Sequence, residues 1–388
     1  MNRFQRDFIE IIRAAFEPTS YELSSDFDFE RAVQLAKAHN IAAIVYYGAL
    51  NCGVDSEHPQ MQELFSLTCK AMMVSQRQMY EIGRLEAAFE EAGIAYMPLK
   101  GTILKGLYPR PEMRAMGDAD ILIKLEQYSK IEEIMRSLEF EFDSECDHVF
   151  EWHKPSLHLE LHKKVVPEND EDLYGYFETG WKFADQIQGT HQFEMSWENF
   201  FLYIFVHFTK HYRIAGIGIK HILDLWVVTH THPNPDMEYI HGELKKMGLH
   251  EFYTNVMKVV TVWFLNGSEN EKTELITNVI FNSGQYGTYE QQIVNRAVLT
   301  HKGSSVKARF VKLRDGIFLP YRKMKIRYKA VEKCPILLPV MWVVRWFEIL
   351  LFRRHVFKVQ RERSKMMDKK NMEDHKQALQ FVGLYTDR

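Results

Sequence analysis

The feature that most constrains the fold of this chain is a short, apolar, β-prone segment, Gly117 to Ile123, that carries two carboxylates. Alternate side chains of a strand share one face, so Asp118 and Asp120 project in the same direction. Two neighbouring carboxylates repel each other unless a cation lies between them or one of them is protonated. The pair therefore predicts a divalent-metal site on a strand, with a solvent-facing acidic strand edge as the alternative.

A strand, a glycine turn and the start of a helix are predicted immediately upstream. The segment from Gly93 to Leu99 is typical of a strand, and Lys100-Gly101 is typical of a turn before a helix that Thr102 would cap. Glycine lets backbone amides approach an anion, and a helix N-terminus favours phosphate. Many strand–helix turns share this composition, so the turn alone does not identify a phosphate site.

A second strand is predicted downstream, because apolar and polar residues alternate strictly between residues 157 and 162. Leucines occupy one face, and His158, Glu160 and His162 occupy the other. The pattern predicts either a polar solvent face or a third carboxylate, Glu160, brought beside the aspartate pair. A metal site of the His-x-Glu-x-His type is a further alternative, although zinc sites more often use helical or cysteine-rich spacings.

These segments together resemble the nucleotidyltransferase superfold of the DNA polymerase β type. More narrowly, they resemble an uncharacterised bacterial nucleotidyltransferase family with four motifs in this order: Leu99-Lys100-Gly101, Tyr108-Pro109, Arg114-Ala115-Met116-Gly117-Asp118-Ala119-Asp120 and His158-Leu159-Glu160-Leu161-His162. This chain departs from the superfamily at the phosphate turn, where Gly101-Thr102 stands in place of Gly-Gly or Gly-Ser. The loop that follows is also longer.

The resemblance implies metal-dependent transfer of a nucleoside monophosphate from a nucleoside triphosphate to a hydroxyl or phosphate acceptor that the sequence does not identify. It implies Mg²⁺ or Mn²⁺ as cofactor. Asp118 and Asp120 would hold the metal ions, and Glu160 would bind an ion or act as the base on the acceptor hydroxyl.

The resemblance also implies a set of nucleotide contacts. Gly101 and Thr102 would hold phosphates, and Lys100 and Arg114 would stabilise the triphosphate charge. For Arg114 the alternative is a structural ion pair with one of the two aspartates. Related enzymes close a helical domain over the nucleotide, so we expect polar residues of a predicted helix, His207 and Lys210 among them, to reach it. An interhelical salt-bridge network is the alternative for that helix.

Composition sets the class of protein. A chain of 388 residues with 46% apolar residues has enough apolar material for two or three domains, and a net charge of −3 does not by itself indicate nucleic-acid binding. The four cysteines are scattered, which is typical of a reducing compartment. The N-terminus lacks the pattern of a signal peptide, so we expect a cytoplasmic protein.

The predicted fold is α+β, with a small mixed-sheet nucleotidyltransferase domain between helical regions. We expect a helical domain over residues 1–92, the nucleotidyltransferase domain over 93–190, a helical bundle over 191–300, and a basic stretch, apolar helix and polar tail over 301–388. Two rival functions remain open. One is a catalytically silent module that binds a nucleotide or a partner for regulation, and the other is a metal-dependent phosphohydrolase that uses His158, Glu160 and His162.

The C-terminal region combines a basic stretch, residues 302–329, with an apolar run from Cys334 to Phe352. A spanning helix needs about 20 largely uncharged residues, so we expect no transmembrane segment. We expect the run to pack internally, with an interfacial helix flanked by Arg353 and Arg354 as the alternative. The basic stretch is also compatible with an RNA acceptor, although no aromatic–basic signature of a known RNA module is visible.

Overall fold

The computed structural model describes ten segments of the chain: residues 1–17, 21–166, 171–232, 234–285, 287–301, 318–319, 321, 324–325, 328–352 and 365–385. The chain divides into two compact units. The first comprises Met1–Thr209 and Ile217–Gln285, and the second comprises Lys210–Gly216 and Tyr286–Arg388. The finer division into four segments stays a prediction.

The first unit begins with four helices: α1 (Arg3–Ala14), α2 (Phe29–His39), α3 (Ala42–Asn51) and α4 (Pro59–Ala92). The long α4 begins with Pro59, whose fixed φ suits a first helical turn, and ends at Gly93 in the left-handed conformation (φ 67°). Leu85 and Phe89 lie on the side of α4 that joins the core of the sheet.

A five-stranded mixed sheet follows: β1 (Tyr96–Pro98), β2 (Asp118–Ile123), β3 (Glu141–Glu145), β4 (Val149–Lys154) and β5 (Leu157–His162). The strand order is β1-β2-β5-β4-β3. β2 is parallel to β5 and antiparallel to β1, and β4 is antiparallel to both β5 and β3. This small mixed sheet between helical regions confirms the predicted α+β class.

The alternation in β5 separates the sheet's core from its polar face. Leu157, Leu159 and Leu161 are almost fully buried in one cluster with Trp152. Burying one leucine side chain contributes about 1.5–3 kcal/mol, so a shift of one residue in register would be strongly unfavourable. The core therefore determines which residues of β5 are left on the opposite face.

The other helices of the first unit, with α8 ending in the second, are α5 (Lys100–Leu107), α6 (Tyr128–Ser137), α7 (Glu171–Phe177), α8 (Trp197–Ala215), α9 (Ile219–Thr231), α10 (Met237–Lys246), α11 (His250–Phe264) and α12 (Glu271–Asn282). A two-stranded sheet joins β6 (Ala184–Gln186) to β7 (Phe193–Met195). Ser196 caps α8, because its Oγ accepts the backbone N–H of Asn199 at 3.3 Å.

The rest of the second unit contains α13 (Tyr289–His301), α14 (Lys329–Lys333), α15 (Leu338–Phe352) and α16 (Lys369–Phe381). Val294 and Val298 of α13 share a buried cluster with Leu379 of α16. Most of the predicted basic stretch lies outside the described residues, as does the beginning of the predicted polar tail. None of the helices in the described part of the chain is long and apolar enough to cross a membrane.

The apolar helix α15 corrects one expectation from the sequence. Instead of packing internally, it exposes large apolar side chains, including Val340 at 57% and Phe347 at 61%. Periodicity could not reveal this exposure, because an apolar helix has the same residue pattern whether its own protein or something outside the protein covers it.

Candidate active site

Two parallel strands bring the three predicted carboxylates onto one face of the sheet. In the register of β2 and β5, Asp118 lies opposite His158, and Asp120 lies opposite Glu160. Side chains at paired positions of neighbouring strands share a face, so Asp118, Asp120 and Glu160 all lie opposite the leucine core. Asp120 is almost fully buried, whereas the Glu160 side chain is 32% exposed.

Two basic side chains, an ammonium and an imidazole, meet these acids. Lys100 Nζ lies 3.1 Å from Asp120 Oδ1. His162 Nε2 lies 2.9 Å from the same oxygen and 3.2 Å from Glu160 Oε2. We call Asp118, Asp120, Glu160, Lys100 and His162 the carboxylate cluster.

The pKa of each acid in the cluster is shifted by a different set of neighbours. Burial, and then the charge of Asp120, raises the pKa of Asp118. Burial alone would raise the pKa of Asp120, but Lys100 and the hydrogen bond from His162 hold that pKa well below its usual range. The hydrogen bond from His162 also lowers the pKa of Glu160. Asp120 and Glu160 are therefore stabilised as carboxylates, the form that binds cations.

The acids in turn raise the pKa values of Lys100 and His162. Burial would lower the pKa of Lys100, but the charge of Asp120 raises it. Burial would likewise lower the pKa of His162, but its hydrogen bonds to Asp120 and Glu160 raise it. In this arrangement the positive charge beside the carboxylates is supplied by the chain itself.

The same side chains fit a divalent cation. One ligand atom each from Asp120, Glu160 and His162 lie within 4.8 Å of one another. Carboxylate oxygens suit Mg²⁺ and Mn²⁺, and an imidazole nitrogen suits Mn²⁺ better than Mg²⁺. Asp118 shares the strand face with this group. The donor set is compatible with the cofactor that the sequence predicts.

The predicted phosphate turn is the first turn of α5. This helix begins at Lys100, with Leu99 as its N-cap and no capping side chain, so the prediction that Thr102 caps it is wrong. Thr102 Oγ1 is buried and makes no hydrogen bond within the described residues. The backbone N–H groups of a first helical turn have no partner inside the helix. This turn therefore combines amides that have no partner inside the helix with a hydroxyl that makes no hydrogen bond within the described residues.

Gly101 brings this turn close to the start of β2. A Cβ atom on Gly101 would lie 3.0 Å from Met116 Sδ and 3.3 Å from the carbonyl oxygen of Asp118. The backbone of Leu99 also donates to the carbonyl of Asp120 at 2.9 Å. A side chain at position 101 would therefore require Met116 or the start of β2 to move by a few tenths of an ångström.

Arg114 lies beside the turn but binds a partner that the sequence did not indicate. Its Nε and Nη2 donate to the two carboxylate oxygens of Asp224 on α9, at 2.8 and 3.1 Å, and Tyr108 Oη donates to the same group at 2.8 Å. Arg114 Nη1 also donates to the carbonyl of Gly101 at 3.2 Å. We call Arg114 and Asp224 the anchor pair. The predicted alternative, a pair with Asp118 or Asp120, is not what the structure contains.

The sequence model of an uncharacterised nucleotidyltransferase family matches residues 25–265, more than half of the chain. The chain belongs to this family. No curated protein and no solved structure matches the chain. The matched range includes β2, β5, the first turn of α5 and Asp224, so both the carboxylate cluster and the anchor pair are parts of the family's domain.

Sequence reasoning overlooked two residues at the site of this nucleotidyltransferase-family protein. Tyr203 of α8 is buried, and burial raises its pKa; Lys100 opposes that rise, while Asp120 and Glu160 add to it. Tyr203 therefore lies within electrostatic reach of the carboxylate cluster. No local signal marks it, because it stands in an aromatic helix among similar residues. Asp224 lies among apolar residues of α9, 110 positions from Arg114, so no local signal marks it as a partner of that residue.

Asp118 shares the sheet face but is not in the group of metal-ligating atoms, and three other residues raised from the sequence are also outside that group. His158 is exposed on β5, and its ring stacks on His153 with a centroid distance of 5.8 Å. His207 is half-buried on α8. Lys210 begins the second unit. For His207 and Lys210, contact with a nucleotide stays a prediction.

Proposed function

We propose that this protein transfers a nucleoside monophosphate from a nucleoside triphosphate to a hydroxyl or phosphate acceptor in the cytoplasm. The observation that carries the proposal is the register of β2 and β5, which sets Asp120 beside Glu160 with Asp118 on the same face. A helix start with unpaired donors lies directly against that face. Membership of the nucleotidyltransferase family supports the same general role.

Asp118, Asp120 and Glu160 would hold the cofactor, Mg²⁺ or Mn²⁺. When bound, such a cation neutralises charge on the triphosphate and on the leaving group. Within the chain, Lys100 already neutralises Asp120 at 3.1 Å. An ammonium at this position is also close enough to the helix start to stabilise a phosphate. Lys100 would therefore serve both the carboxylates and the nucleotide.

The first turn of α5 would bind the phosphates of the nucleotide. Its amides lack partners inside the helix, and the Thr102 hydroxyl makes no hydrogen bond within the described residues, so both can donate to a phosphate. The anchor pair supports this turn, because Arg114 donates to the carbonyl of Gly101. We therefore assign Arg114 a positioning role, since the N–H groups of its guanidinium already donate to Asp224 and to the carbonyl of Gly101.

The transfer requires one bond to form and one to break. The acceptor oxygen would bond to the α-phosphorus of the nucleotide, while the bond from that phosphorus to the bridging oxygen breaks and pyrophosphate leaves. A hydroxyl acceptor loses its proton to a base. Glu160 is the candidate, because it is partly exposed and its pKa is lowered by His162.

A phosphohydrolase built on β5 alone has less support. That function would use His158, Glu160 and His162, but the metal-ligating group formed by the described residues contains Asp120 instead of His158. A silent regulatory module is also less consistent with this site, because nothing in a purely structural role requires three acids on one face of the sheet.

The test uses the purified full-length chain with nucleoside triphosphates labelled at the α- or the γ-phosphate, Mg²⁺ or Mn²⁺, and a cell extract as acceptor pool. We expect label from the α-phosphate alone to enter the protein, RNA or small-molecule fraction. Asp118→Asn should lower this incorporation by about a thousandfold or more, because a shared carboxylate ligand is lost. The matched control is Asp185→Asn, an exposed aspartate on β6 of the same unit.

Two results would overturn the proposal. Label transferred from the γ-phosphate indicates a kinase reaction. Full incorporation by a folded Asp118→Asn variant indicates that β2 does not carry the chemistry. Circular dichroism of both variants establishes that they are folded.

A further inference from the structure

The helix α15 faces its own unit with polar groups as well as with Trp342 and Trp346, whose rings meet Phe318 edge-on, and it exposes an apolar side. Arg345 is only 6% exposed. Trp342 Nε1 donates to the carbonyl of Leu319 at 2.8 Å, and Glu348 accepts from the hydroxyl of Tyr328 at 2.6 Å. A surface helix of a globular protein normally has the opposite arrangement, with its apolar stripe toward the core.

The exposed side forms one continuous apolar stripe. Ile336, in the 3₁₀ turn just before α15, is 85% exposed, and Val340, Val343 and Phe347 follow at spacings of four, three and four residues. These spacings place all four side chains on one side of the helix. Neighbouring exposed side chains widen the stripe: Leu337, Val344 and Trp346. Exposed apolar patches of this kind mark surfaces that another phase or molecule covers.

The sequence around α15 carries a large excess of positive charge. Between Lys302 and Lys329 there are ten lysine and arginine residues and one acid, Asp315. Arg353 and Arg354 follow directly after the helix. A protein groove would satisfy the apolar stripe but gives no reason for the flanking cations. Anionic lipid headgroups satisfy both, since clustered lysine and arginine beside an amphipathic helix attract them.

The length of α15 sets its orientation on such a surface. Its 15 residues span about 22 Å at 1.5 Å per residue, which is shorter than the hydrocarbon core of about 30 Å. The helix is thus suited to lying in the interface instead of crossing it. Trp342 and Trp346 are residue types that concentrate at the headgroup level.

We propose that α15 binds parallel to the surface of an anionic lipid bilayer, with Val340, Val343 and Phe347 inserted among the outer acyl chain segments. The basic residues that flank the helix in sequence supply the positive charge that attracts anionic headgroups. This surface lies outside the family-matched residues 25–265, so membrane binding and nucleotidyl transfer can be tested separately.

The experiment is co-sedimentation of the full-length chain with phosphatidylcholine vesicles, with or without phosphatidylserine, at low and at high salt. We expect binding to the phosphatidylserine vesicles that weakens with salt, because the electrostatic part of the attraction is screened. Val343→Glu combined with Phe347→Glu should lower the partition coefficient at least about tenfold, from the loss of apolar burial. The matched control is Phe65→Glu together with Met73→Glu, two exposed apolar residues of α4.

Trp346 provides a second readout that does not depend on these charge changes. Brominated acyl chains should quench tryptophan fluorescence in the wild type, and Trp346→Phe should remove part of that quenching. Three results would overturn the proposal: no sedimentation at low salt, equal loss of binding in the α4 control, or self-association of the wild type that the α15 variant abolishes. The last would assign the stripe to a second copy of the chain.

Discussion

The carboxylate cluster and the anchor pair are neighbouring groups of buried charges that differ in how completely they are neutralised. In the anchor pair, both carboxylate oxygens of Asp224 accept hydrogen bonds from Arg114, and one of them also accepts from the Tyr108 hydroxyl. In the carboxylate cluster, Lys100 and His162 contact Asp120, and His162 also contacts Glu160, so three acids share two basic side chains. The first group is satisfied within the chain, whereas the second keeps an excess of carboxylate oxygens.

This difference separates a structural role from a chemical one. A fully paired buried ion pair fixes the position of the segments that carry it, and here those segments are the loop before β2 and helix α9. A group with more carboxylates than basic side chains can bind an added cation. Mutations in the carboxylate cluster should therefore lower mainly the activity, whereas mutations in the anchor pair should lower mainly the stability.

After Asp118→Asn, the largest effect is expected for Glu160→Gln. It should lower nucleotidyl transfer about a hundredfold or more, because it removes a metal ligand or base. Its free energy of unfolding should change by at most about 1 kcal/mol, since the side chain is 32% exposed. Incorporation of α-labelled nucleotide and urea denaturation measure the two quantities.

The matched control for Glu160→Gln is Glu151→Gln. Glu151 lies opposite Glu160 in the register of β4 and β5, and its carboxylate accepts from the Ser144 hydroxyl at 2.6 Å. An unchanged rate in Glu160→Gln, or an equal loss in the control, would remove Glu160 from the carboxylate cluster's proposed chemistry.

The next effect concerns the stability of the anchor pair. Asp224→Asn should lower the free energy of unfolding by about 3–5 kcal/mol, because Arg114 is left buried without a charge partner. The double variant Arg114→Met with Asp224→Leu should recover much of this loss, since no uncompensated charge remains. Urea denaturation of the single and double variants gives the coupling energy.

The exposed pair Arg136–Glu132 on α6 provides the contrast, with side chains 61% and 39% exposed. Its removal should cost at most about 0.5 kcal/mol. Additive losses at Arg114 and Asp224 would mean that the pair does not act as one buried unit.

The smallest effect is a pH dependence at Lys105, whose ammonium donates to the carbonyl of Arg114 at 2.8 Å. Burial, followed by the charge of Arg114, lowers the pKa of Lys105 to about 8. The unfolded value is about 10.4, so between pH 8 and 10 the unfolded chain holds a proton that the folded chain has released. The free energy of unfolding therefore receives a contribution that increases with pH across this window.

Lys105→Met removes that contribution. We expect the difference in unfolding free energy between wild type and variant to change in favour of the wild type from pH 8 to pH 10. Urea denaturation at successive pH values measures it, with Lys70→Met, an exposed lysine of α4, as control. Parallel curves for wild type and Lys105→Met would show that this lysine does not titrate as its surroundings indicate.

Local pattern was sufficient to predict the strands of the site. The strict alternation in β5 and the aspartate spacing in β2 determine which side chains share a face, whatever surrounds them. The start of α5 was misplaced by two residues, because lysine, glycine and threonine are all compatible with a turn or with a first helical turn.

The partners of the charged residues could not be predicted in the same way. Asp224 is 110 positions from Arg114, and no periodicity connects the two. Tyr203 reaches the carboxylate cluster from α8, whose aromatic residues are indistinguishable in sequence. Contacts of this kind depend on how helices pack against the sheet, which local spacing does not encode.

The sequence by itself determined that Asp118, Asp120 and Glu160 belong on polar strand faces, because strand geometry has a fixed period of two. It also carried the family resemblance that the match over residues 25–265 confirms. Only the tertiary structure decided that Arg114 pairs with Asp224, that His162 bridges Asp120 and Glu160, and that α15 turns its apolar side outward. The reason is that periodicity assigns a residue to a face, whereas packing alone decides what that face meets.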